Sequence, residues 1–226
     1  MTLPIVHEDD RILAVAKPSG QVAVGRSGAN DEQTTQADAS RLAGRELLIV
    51  HRLDRGTSGV LVFAKDVETH RRLSALFEQR AVGKVYLALV LGHVDPRSGE
   101  ITHPLRAFGS GRMGVDARGK ASSSRYDVIE RLPADDLLEV RPLTGRRHQI
   151  RVHLYAIGHP VVGDTTYGDP RPVGGASRLM LHARQLTLPD ADGAAITIRA
   201  EPPAEFVAIL DERRGADAAT GSGGLS

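Results

Sequence analysis

The sequence contains no cysteine. This absence excludes disulfide frameworks, thiolate nucleophiles and cysteine-ligated zinc, and it is compatible with a reducing compartment. No apolar run approaches the roughly 18 residues that a membrane span needs. The first 17 residues carry Glu8, Asp9 and Asp10 and lack the apolar or basic character of a signal or transit peptide. We therefore expect a soluble cytoplasmic protein.

Acidic residues are also missing from the segment 141–163, although the whole chain has a formal net charge of only +1. The segment 101–126 is similarly basic and holds a single acid, Asp116. Two basic segments in a nearly neutral protein have two interpretations. They form one positive surface that binds phosphates, or their arginines are scattered over the surface. Composition does not decide between these two interpretations. The arginines and lysine in question are Arg106, Arg112, Arg118, Lys120, Arg125, Arg141, Arg146, Arg147 and Arg151.

Several catalytic patterns are absent. The chain has no His-Glu-x-x-His pattern, and His148 and His153 are five residues apart, so on a helix they diverge by about 140°. No Gly-x-Ser-x-Gly elbow is present, and the glycines of 109–114 do not have the spacing of a nucleotide-binding loop. These patterns disfavour metal catalysis, a serine hydrolase and a phosphate loop, and we expect no metal site.

What the sequence does contain is the stretch His51-Arg52-Leu53-Asp54-Arg55-Gly56-Thr57-Ser58-Gly59. It lies between the apolar runs 47–50 and 60–64, a pattern that predicts two paired, buried strands. Asp54 lies next to two arginines and a histidine. The pattern is consistent with a structural turn residue and with a reactive carboxylate kept ionised by adjacent cations.

The remaining periodicities favour strands interspersed with a few helices, without a regular βαβ alternation, and therefore an α+β fold with a largely antiparallel sheet. Asp66 is predicted to cap a helix over 66–82 that Gly83 ends. A second helix is predicted to begin at Thr144, and 92–120 is predicted to be a long loop. We expect one domain over 1–213 and a disordered tail over 214–226. The other predicted elements are strands at 12–16, 84–90, 126–129 and 137–141, a hairpin of 178–188 with 195–200, and helices at 34–42 and 203–213.

Seven motifs occur in one order along the chain: Val15–Gly20, His51–Asp54 with Thr57–Gly59, Lys84–Ala88, Gly119–Ala121, Leu143–His153, Gly158–Asp164 and Leu179–Ala183. In this ordered set the sequence closely resembles the RluA-type family of RNA pseudouridine synthases, from about Ile5 to Leu188. The resemblance implies the pseudouridine synthase fold, with a mixed, mostly antiparallel central sheet and with helices and loops around a catalytic cleft.

Carried over residue by residue, the resemblance implies that Asp54 is the catalytic aspartate. It implies that Tyr86 packs against the target base, that Arg151 forms a salt bridge with the aspartate, and that Arg52 occupies the space left by the extruded nucleotide. Ile150 would line the base pocket. The other residues that we expect to contact RNA are His51, Arg55, Thr57, Arg106, Arg112, Lys120, Arg146, Arg147 and His148.

The implied activity is isomerisation of specific uridines in structured ribosomal or transfer RNA to pseudouridine, without a cofactor. RNA is the expected partner, and we expect a monomer with no obligatory protein partner. The alternative is a catalytically silent RNA-binding or assembly protein on the same fold. The sequence departs from the family at 21–26, where relatives often carry Val-His-Pro. We expect no S4-type domain, which many relatives carry, before Ile5. We therefore expect target selection to depend on the catalytic domain and its loops.

Overall fold

The computed structural model describes residues 3–25, 33–109, 111–168, 173–189 and 194–215. Within these ranges the chain forms twelve strands, four α-helices and a 3₁₀ turn at Val173–Gly175. The strands are β1 (Ile5–Glu8), β2 (Ile12–Lys17), β3 (Leu48–Ile49), β4 (Ser58–Ala64), β5 (Gly83–Leu91), β6 (Ser98–Ile101), β7 (Leu105–Ala107), β8 (Met113–Val115), β9 (Ser124–Arg131), β10 (Asp135–Pro142), β11 (Leu181–Pro189) and β12 (Ala195–Arg199). The helices are α1 (Thr35–Ala43), α2 (Val67–Glu78), α3 (Gln149–Ala156) and α4 (Ala204–Gly215). No helix among the described residues is long and apolar enough to cross a membrane.

The chain divides into two compact units. The first unit comprises Met1–Tyr86 and Leu181–Glu201, and the second comprises Leu87–Met180 and Pro202–Ser226. The assignment of 1–213 to one catalytic domain stays a prediction. The predicted disordered tail began at residue 214, but α4 includes Arg214 and Gly215, and the rest of that tail lies outside the described residues.

In the first unit, apolar residues on successive positions of the central strands point to opposite faces of the sheet, and both faces are buried. On one face Ala14 and Val62 pack with Leu73 of α2. On the other, Leu13 and Phe63 pack with Ala39 of α1. Strand β4 pairs antiparallel with β2 and with β3, and parallel with β11, which in turn pairs antiparallel with β12. Burial on both faces explains why β4 is a continuous apolar run.

Gly59 marks the point where β4 meets β11 most closely. Its φ is +117°, and a Cβ atom at this position would lie 2.2 Å from the carbonyl oxygen of Ala183. Only glycine has both this backbone freedom and the necessary space. The last residue of the Thr57-Ser58-Gly59 motif therefore holds the parallel strand pair together.

The second unit contains the antiparallel strands β9 and β10, with β6 on the other side of β9. A separate two-stranded hairpin is formed by β7 and β8. Leu105 of this hairpin packs with Val152 of α3 and with Tyr167. The hairpin and α3 therefore share a small apolar core, which fixes them relative to each other.

Most of the predicted elements are confirmed, among them the strand pair around Asp54, strand β5 and the β11–β12 hairpin. The α+β content with mostly antiparallel pairing is also confirmed. Asp66 caps α2, since its carboxylate accepts the Thr69 N–H at 2.7 Å. The predicted end of that helix is wrong. The helix ends at Glu78, Arg80 takes the left-handed conformation with φ 60°, and Gly83 begins β5 instead of ending the helix.

Two further predictions are wrong. The segment 92–120 is not a loop throughout, because it contains β6, β7 and β8. The helix predicted from Thr144 begins only at Gln149, because His148 has φ 54° and the residues before it form a turn. Arg147 therefore precedes the helix.

Candidate active site

Asp54 lies in the first unit, in the turn that leads from β3 into β4. The carbonyl oxygen of Asp54 accepts the backbone N–H of Thr57 at 3.0 Å, which closes the turn. Leu53 is buried in the core between the sheet and α1, whereas Arg52 is exposed and Asp54 half-buried. The buried leucine thus anchors the chain directly before Asp54.

A buried lysine, Lys17, anchors the backbone of this turn. Lys17, which is 1% exposed, donates from Nζ to the carbonyl oxygens of Pro18, Gln21 and Arg55 at 2.7, 2.8 and 3.1 Å. A buried ammonium is tolerated when carbonyl oxygens replace its hydration in this way. Lys17 therefore ties the Lys-Pro-Ser-Gly turn to the residue that follows Asp54.

Ser19 and Gly20 add three hydrogen bonds to the same junction. The Ser19 hydroxyl donates to the Gly56 carbonyl at 2.7 Å, and the Gly20 N–H donates to the Arg55 carbonyl at 2.9 Å. The Nε of Arg55 donates back to the Gly20 carbonyl at 2.8 Å. The two motifs, far apart in sequence, thus form one rigid element around the carboxylate.

Tyr86, at the end of the first unit's portion of β5, packs against the same core as Leu53. Burial raises the pKa of its phenol, and the negative charge of Asp54 raises it further. Tyr86 is therefore a neutral phenol over the whole physiological range, and it lies near Asp54. The structure brings these two predicted residues together.

The side chains of His51 and Thr57, which we expected to contact RNA, point into the protein. The imidazole of His51 stacks on Phe77 with ring centroids 4.7 Å apart, and its Nε2 accepts the N–H of Val62 at 3.0 Å. Burial, with the charge of Lys84, lowers the pKa of His51 to about 3. Thr57 is 2% exposed, and its hydroxyl has no hydrogen-bond partner among the described residues.

The low pKa of His51 makes an acid-dependent loss of stability an expected result. Unfolded His51 takes up a proton near its ordinary pKa of 6.5, while the folded protein resists until about pH 3. As the pH falls through this window the unfolded state binds more protons, so the free energy of unfolding falls by up to about 1.4 kcal/mol per pH unit. Denaturant titrations at several values between pH 7 and pH 4 should show a weaker decline in His51→Gln than in the wild type.

A variant that keeps the titrating group provides the control. Phe77→Leu removes the stacked ring but leaves the imidazole, so it should be less stable than the wild type and still lose stability as the pH falls. His153, whose pKa burial also lowers, is present in all three proteins and cancels in the comparison. Equal pH dependence in wild type and His51→Gln would show that His51 is not the group responsible.

In the second unit, Arg151 of α3 is held by a carboxylate. Its Nε and Nη2 donate to the two oxygens of Asp164, each at 2.7 Å, and the side chains are 8% and 1% exposed. Asp164 also accepts the N–H groups of Thr166 and Tyr167 at 2.8 and 3.0 Å. The Tyr167 ring lies 5.1 Å from the guanidinium carbon. Arg151 is therefore a buried, oriented cation and not a surface charge.

The turn before α3 is fixed by Gln149. Its side-chain oxygen accepts from the Thr144 hydroxyl at 2.6 Å and from the Arg146 N–H at 3.0 Å, and its amide donates to the Ser123 carbonyl at 2.8 Å. This arrangement leaves Arg147 exposed and Arg146 half-buried. Two other predicted residues here are largely internal. Ile150 is 6% exposed, and Nδ1 of His148 lies 2.7 Å from the Tyr167 hydroxyl.

The β7–β8 hairpin and the turn after it carry the remaining predicted cations, and Arg106, Arg112 and Lys120 are all exposed. Arg106 forms an ion pair with Asp116 at 3.2 Å, and Arg112 donates to the Thr166 carbonyl. Within the described ranges, no side-chain hydrogen bond or ion pair is found for Arg52, Lys120 or Arg147. Exposed cations of this kind are suited to phosphate contacts.

With this geometry in place, the comparisons with known proteins decide the family. The family model for RNA pseudouridylate synthase matches residues 11–156. This range includes the Lys17 turn, Asp54, Tyr86 and Arg151. The chain belongs to the RNA pseudouridylate synthase family.

Members of this family are similar to the chain over most of its length. The dual-specificity RNA pseudouridine synthase RluA of Escherichia coli strain K12 is 38% identical over 211 residues, which cover 90% of this chain and 94% of RluA. Ribosomal large subunit pseudouridine synthase C of Vibrio cholerae is 39% identical over 188 residues, covering 80% of this chain. The match spans only 60% of the Vibrio protein.

Solved structures of family members also match the fold. Human RNA pseudouridylate synthase domain containing 4 superposes with a TM-score of 0.79 at 28% identity, over 93% of both chains. Human RNA pseudouridylate synthase domain containing 1 gives a TM-score of 0.76 at 31% identity, over 96% of this chain and 95% of the other. The pseudouridine synthase fold is thereby confirmed.

Two residues that contribute to the site were not predicted from the sequence to have a role in it. Lys17 anchors the Asp54 turn, and Asp164 holds Arg151. Both lie in motifs that carried the family resemblance, Val15–Gly20 and Gly158–Asp164. Two signals in the sequence could have identified them. Lys17 directly follows the apolar run 12–16, and Asp164 is the first acid after the acid-free segment 141–163.

Proposed function

We propose that this protein is an RNA pseudouridine synthase that isomerises specific uridines of structured RNA, with Asp54 as the catalytic carboxylate. The observation that carries the proposal is that the turn of Asp54, whose backbone is anchored by Lys17, lies close to the buried Tyr86, in a chain of this family. The name of one relative refers to the large ribosomal subunit and that of another to dual specificity. As the resemblance implies, the proposed substrate is structured ribosomal or transfer RNA.

The reaction balances without a cofactor. The N1–C1′ bond of uridine breaks, the uracil turns, and a C5–C1′ bond forms, while the C5 proton is lost and N1 gains one. A carboxylate serves this sequence either as a nucleophile toward C1′ or by assisting cleavage and accepting a proton from the sugar. Both routes need the uridine to be extruded from its stack, and an aromatic ring then supports the base. We assign that support to Tyr86.

Arg151 is proposed to pair with the Asp54 carboxylate. An arginine guanidinium has five N–H donors in a planar fork, so one arginine can bind more than one carboxylate, and Arg151 is already held by Asp164. A cation held in this way has a fixed orientation before a second carboxylate binds, which favours the ionised form of that carboxylate. Ile150, buried on the same helix, is proposed to line the base pocket.

The RNA backbone is proposed to contact the exposed cations, and Arg52 to enter the space of the extruded nucleotide. The exposed or half-exposed set is Arg52, Arg55, Arg106, Arg112, Lys120, Arg146 and Arg147. His51 and Thr57 are left out because their side chains are held inside the first unit. His148 is left out because it is bonded to Tyr167.

Tritium release tests the activity. Total RNA labelled with [5-³H]uridine is prepared from cells that lack this protein and is incubated with the purified chain. Because C5 loses its hydrogen on isomerisation, the enzyme releases tritium into water. If the wild type binds this RNA but releases no tritium, the protein is instead the catalytically silent RNA-binding protein. Sequencing for pseudouridines that vanish in the deletion strain identifies the target.

A further inference from the structure

The few aromatic residues of this chain are unevenly distributed. The sequence has four Phe, four Tyr and no Trp, and all eight rings lie in the described ranges. Six of them are buried or half-buried. The two exposed rings are Phe108 at 46% and Tyr155 at 47%, and both line one cleft of the second unit. Exposed rings gathered in one place indicate a binding surface more strongly than scattered ones.

The cleft has a volume of about 360 Å³ and lies between the β7–β8 hairpin and α3. Met113 and Val115 contribute from the hairpin, and Val152, Tyr155 and Ala156 from one face of the helix. The volume falls within the range of roughly 300–1,000 Å³ that is typical of small-ligand pockets. Its walls are mostly apolar, so it is suited to a flat apolar group.

The floor of the cleft is rigid. Tyr167 is 2% exposed, and its hydroxyl accepts the Met113 N–H at 3.1 Å and is bonded to Nδ1 of His148 at 2.7 Å. The rings of Tyr155 and Tyr167 have centroids 6.5 Å apart and planes inclined by 41°. Tyr167 is therefore held in place before any ligand arrives, and the exposed rings of Phe108 and Tyr155 provide the stacking surface.

Positive charge lies on the hairpin that forms one side of this cleft. The guanidinium carbon of Arg112 lies 5.5 Å from the Tyr167 ring centroid, at the edge of the cleft. Arg106 and Arg118 both pair with Asp116, at 3.2 and 3.1 Å, so that one carboxylate is shared by two cations. The hairpin and its following turn thus keep a net positive charge. An apolar peptide segment gains nothing from these cations, whereas a polyanion with flat apolar rings uses both features.

We propose that the cleft is a second nucleobase site, which stacks an unpaired base of the RNA other than the target uridine and directs Arg112 to a neighbouring phosphate. Stacking on aromatic side chains beside arginine is the usual way in which proteins hold unpaired bases. The inference rests on the proposed function, and it names an additional part of the RNA that the enzyme recognises. It places RNA recognition on the hairpin and α3 as well as on the catalytic turn.

Stacking predicts a clear pattern of affinities for the [5-³H]uridine-labelled total RNA, measured by filter binding. Tyr155→Ala and Phe108→Ala should each raise the apparent Kd by about 5- to 100-fold. Tyr155→Phe keeps the ring and should stay within about twofold of wild type. Arg112→Gln should weaken binding and reduce its salt dependence by about one counterion. Ile129→Ala is the matched control, because Ile129 is also 46% exposed in the second unit but lies on β9.

A crosslinking experiment locates the base. RNA containing 4-thiouridine is irradiated with the wild type, and crosslinked peptides are identified by mass spectrometry. Crosslinks within 105–115 and 152–167 support the proposal.

If the wild type releases tritium while Tyr155→Ala and Phe108→Ala bind like Ile129→Ala, the second site is wrong and the proposed function stands. If tritium release is absent but the aromatic variants lose affinity, the site holds and the enzymatic function fails. If the wild type binds no RNA, both are overturned.

Discussion

Replacement of Asp54 by asparagine should abolish turnover while leaving RNA bound. The amide has nearly the same shape as the carboxylate but can neither attack C1′ nor accept a proton, so we expect tritium release to fall by at least about 1,000-fold. Affinity should stay within about threefold, because the phosphate contacts are provided by other residues. Tritium release under single-turnover conditions and filter binding of the same RNA measure the two quantities separately.

The matched control is Asp10→Asn, which changes an exposed acid of the same unit and should behave as the wild type in both assays. Thermal unfolding should show that Asp54→Asn is folded, since the backbone hydrogen bonds that close and anchor the turn do not involve the carboxylate. If Asp54→Asn releases tritium at more than a tenth of the wild-type rate, Asp54 is not the catalytic carboxylate.

Asp164→Ala should cost the second unit much of its stability. The substitution removes the bidentate partner of a buried arginine and the acceptor of two backbone N–H groups. Breaking a buried ion pair from one side typically costs about 3–5 kcal/mol, because the remaining charge stays out of water. Denaturant unfolding of wild type and variant measures this loss. If Arg151 stabilises the Asp54 carboxylate, tritium release should fall too, even at temperatures where the variant is folded.

An exposed ion pair of the same unit calibrates this result. Glu130 accepts from Arg214 on the surface, and such pairs typically contribute less than about 1 kcal/mol. Glu130→Ala should therefore be nearly as stable as the wild type. A double-mutant cycle of Asp164→Ala with Arg151→Met isolates the pairwise energy from the loss of the backbone contacts. If Asp164→Ala and Glu130→Ala are equally stable, the buried ion pair of Asp164 with Arg151 does not stabilise the second unit.

Sequence reasoning succeeded where the signal is local. Asp66 was identified as a helix cap because its side chain bonds a backbone group three residues away, and the β3–β4 pair followed from two adjacent apolar runs. The end of α2 was missed because a glycine after a helix suits a left-handed cap and a strand start equally well. Strands β7 and β8 were missed because each has only three residues, too few to show alternation.

The site was only partly predictable for a different reason. Motif identity selected Asp54, Tyr86 and Arg151, but partners distant in sequence could not be read from spacing. Lys17 reaches the carbonyl of Arg55 across 38 positions, and His51 turns inward to Phe77 although it is only three residues before Asp54. The exposed Tyr155 could be assigned to the Phe108 cleft only once the hairpin was known to pack on α3.

The parallel pairing of β4 with β11 also affects how the chain is synthesised. Ser58 and its hydrogen-bond partner His182 are 124 positions apart. At about 5–20 residues per second, a ribosome needs roughly 6–25 s to translate that interval. Throughout this time the edge of β4 at Gly59 lacks its neighbour, and an uncovered strand edge is prone to pair with other chains. Nascent chains that stall before β11 are therefore expected to need protection from aggregation.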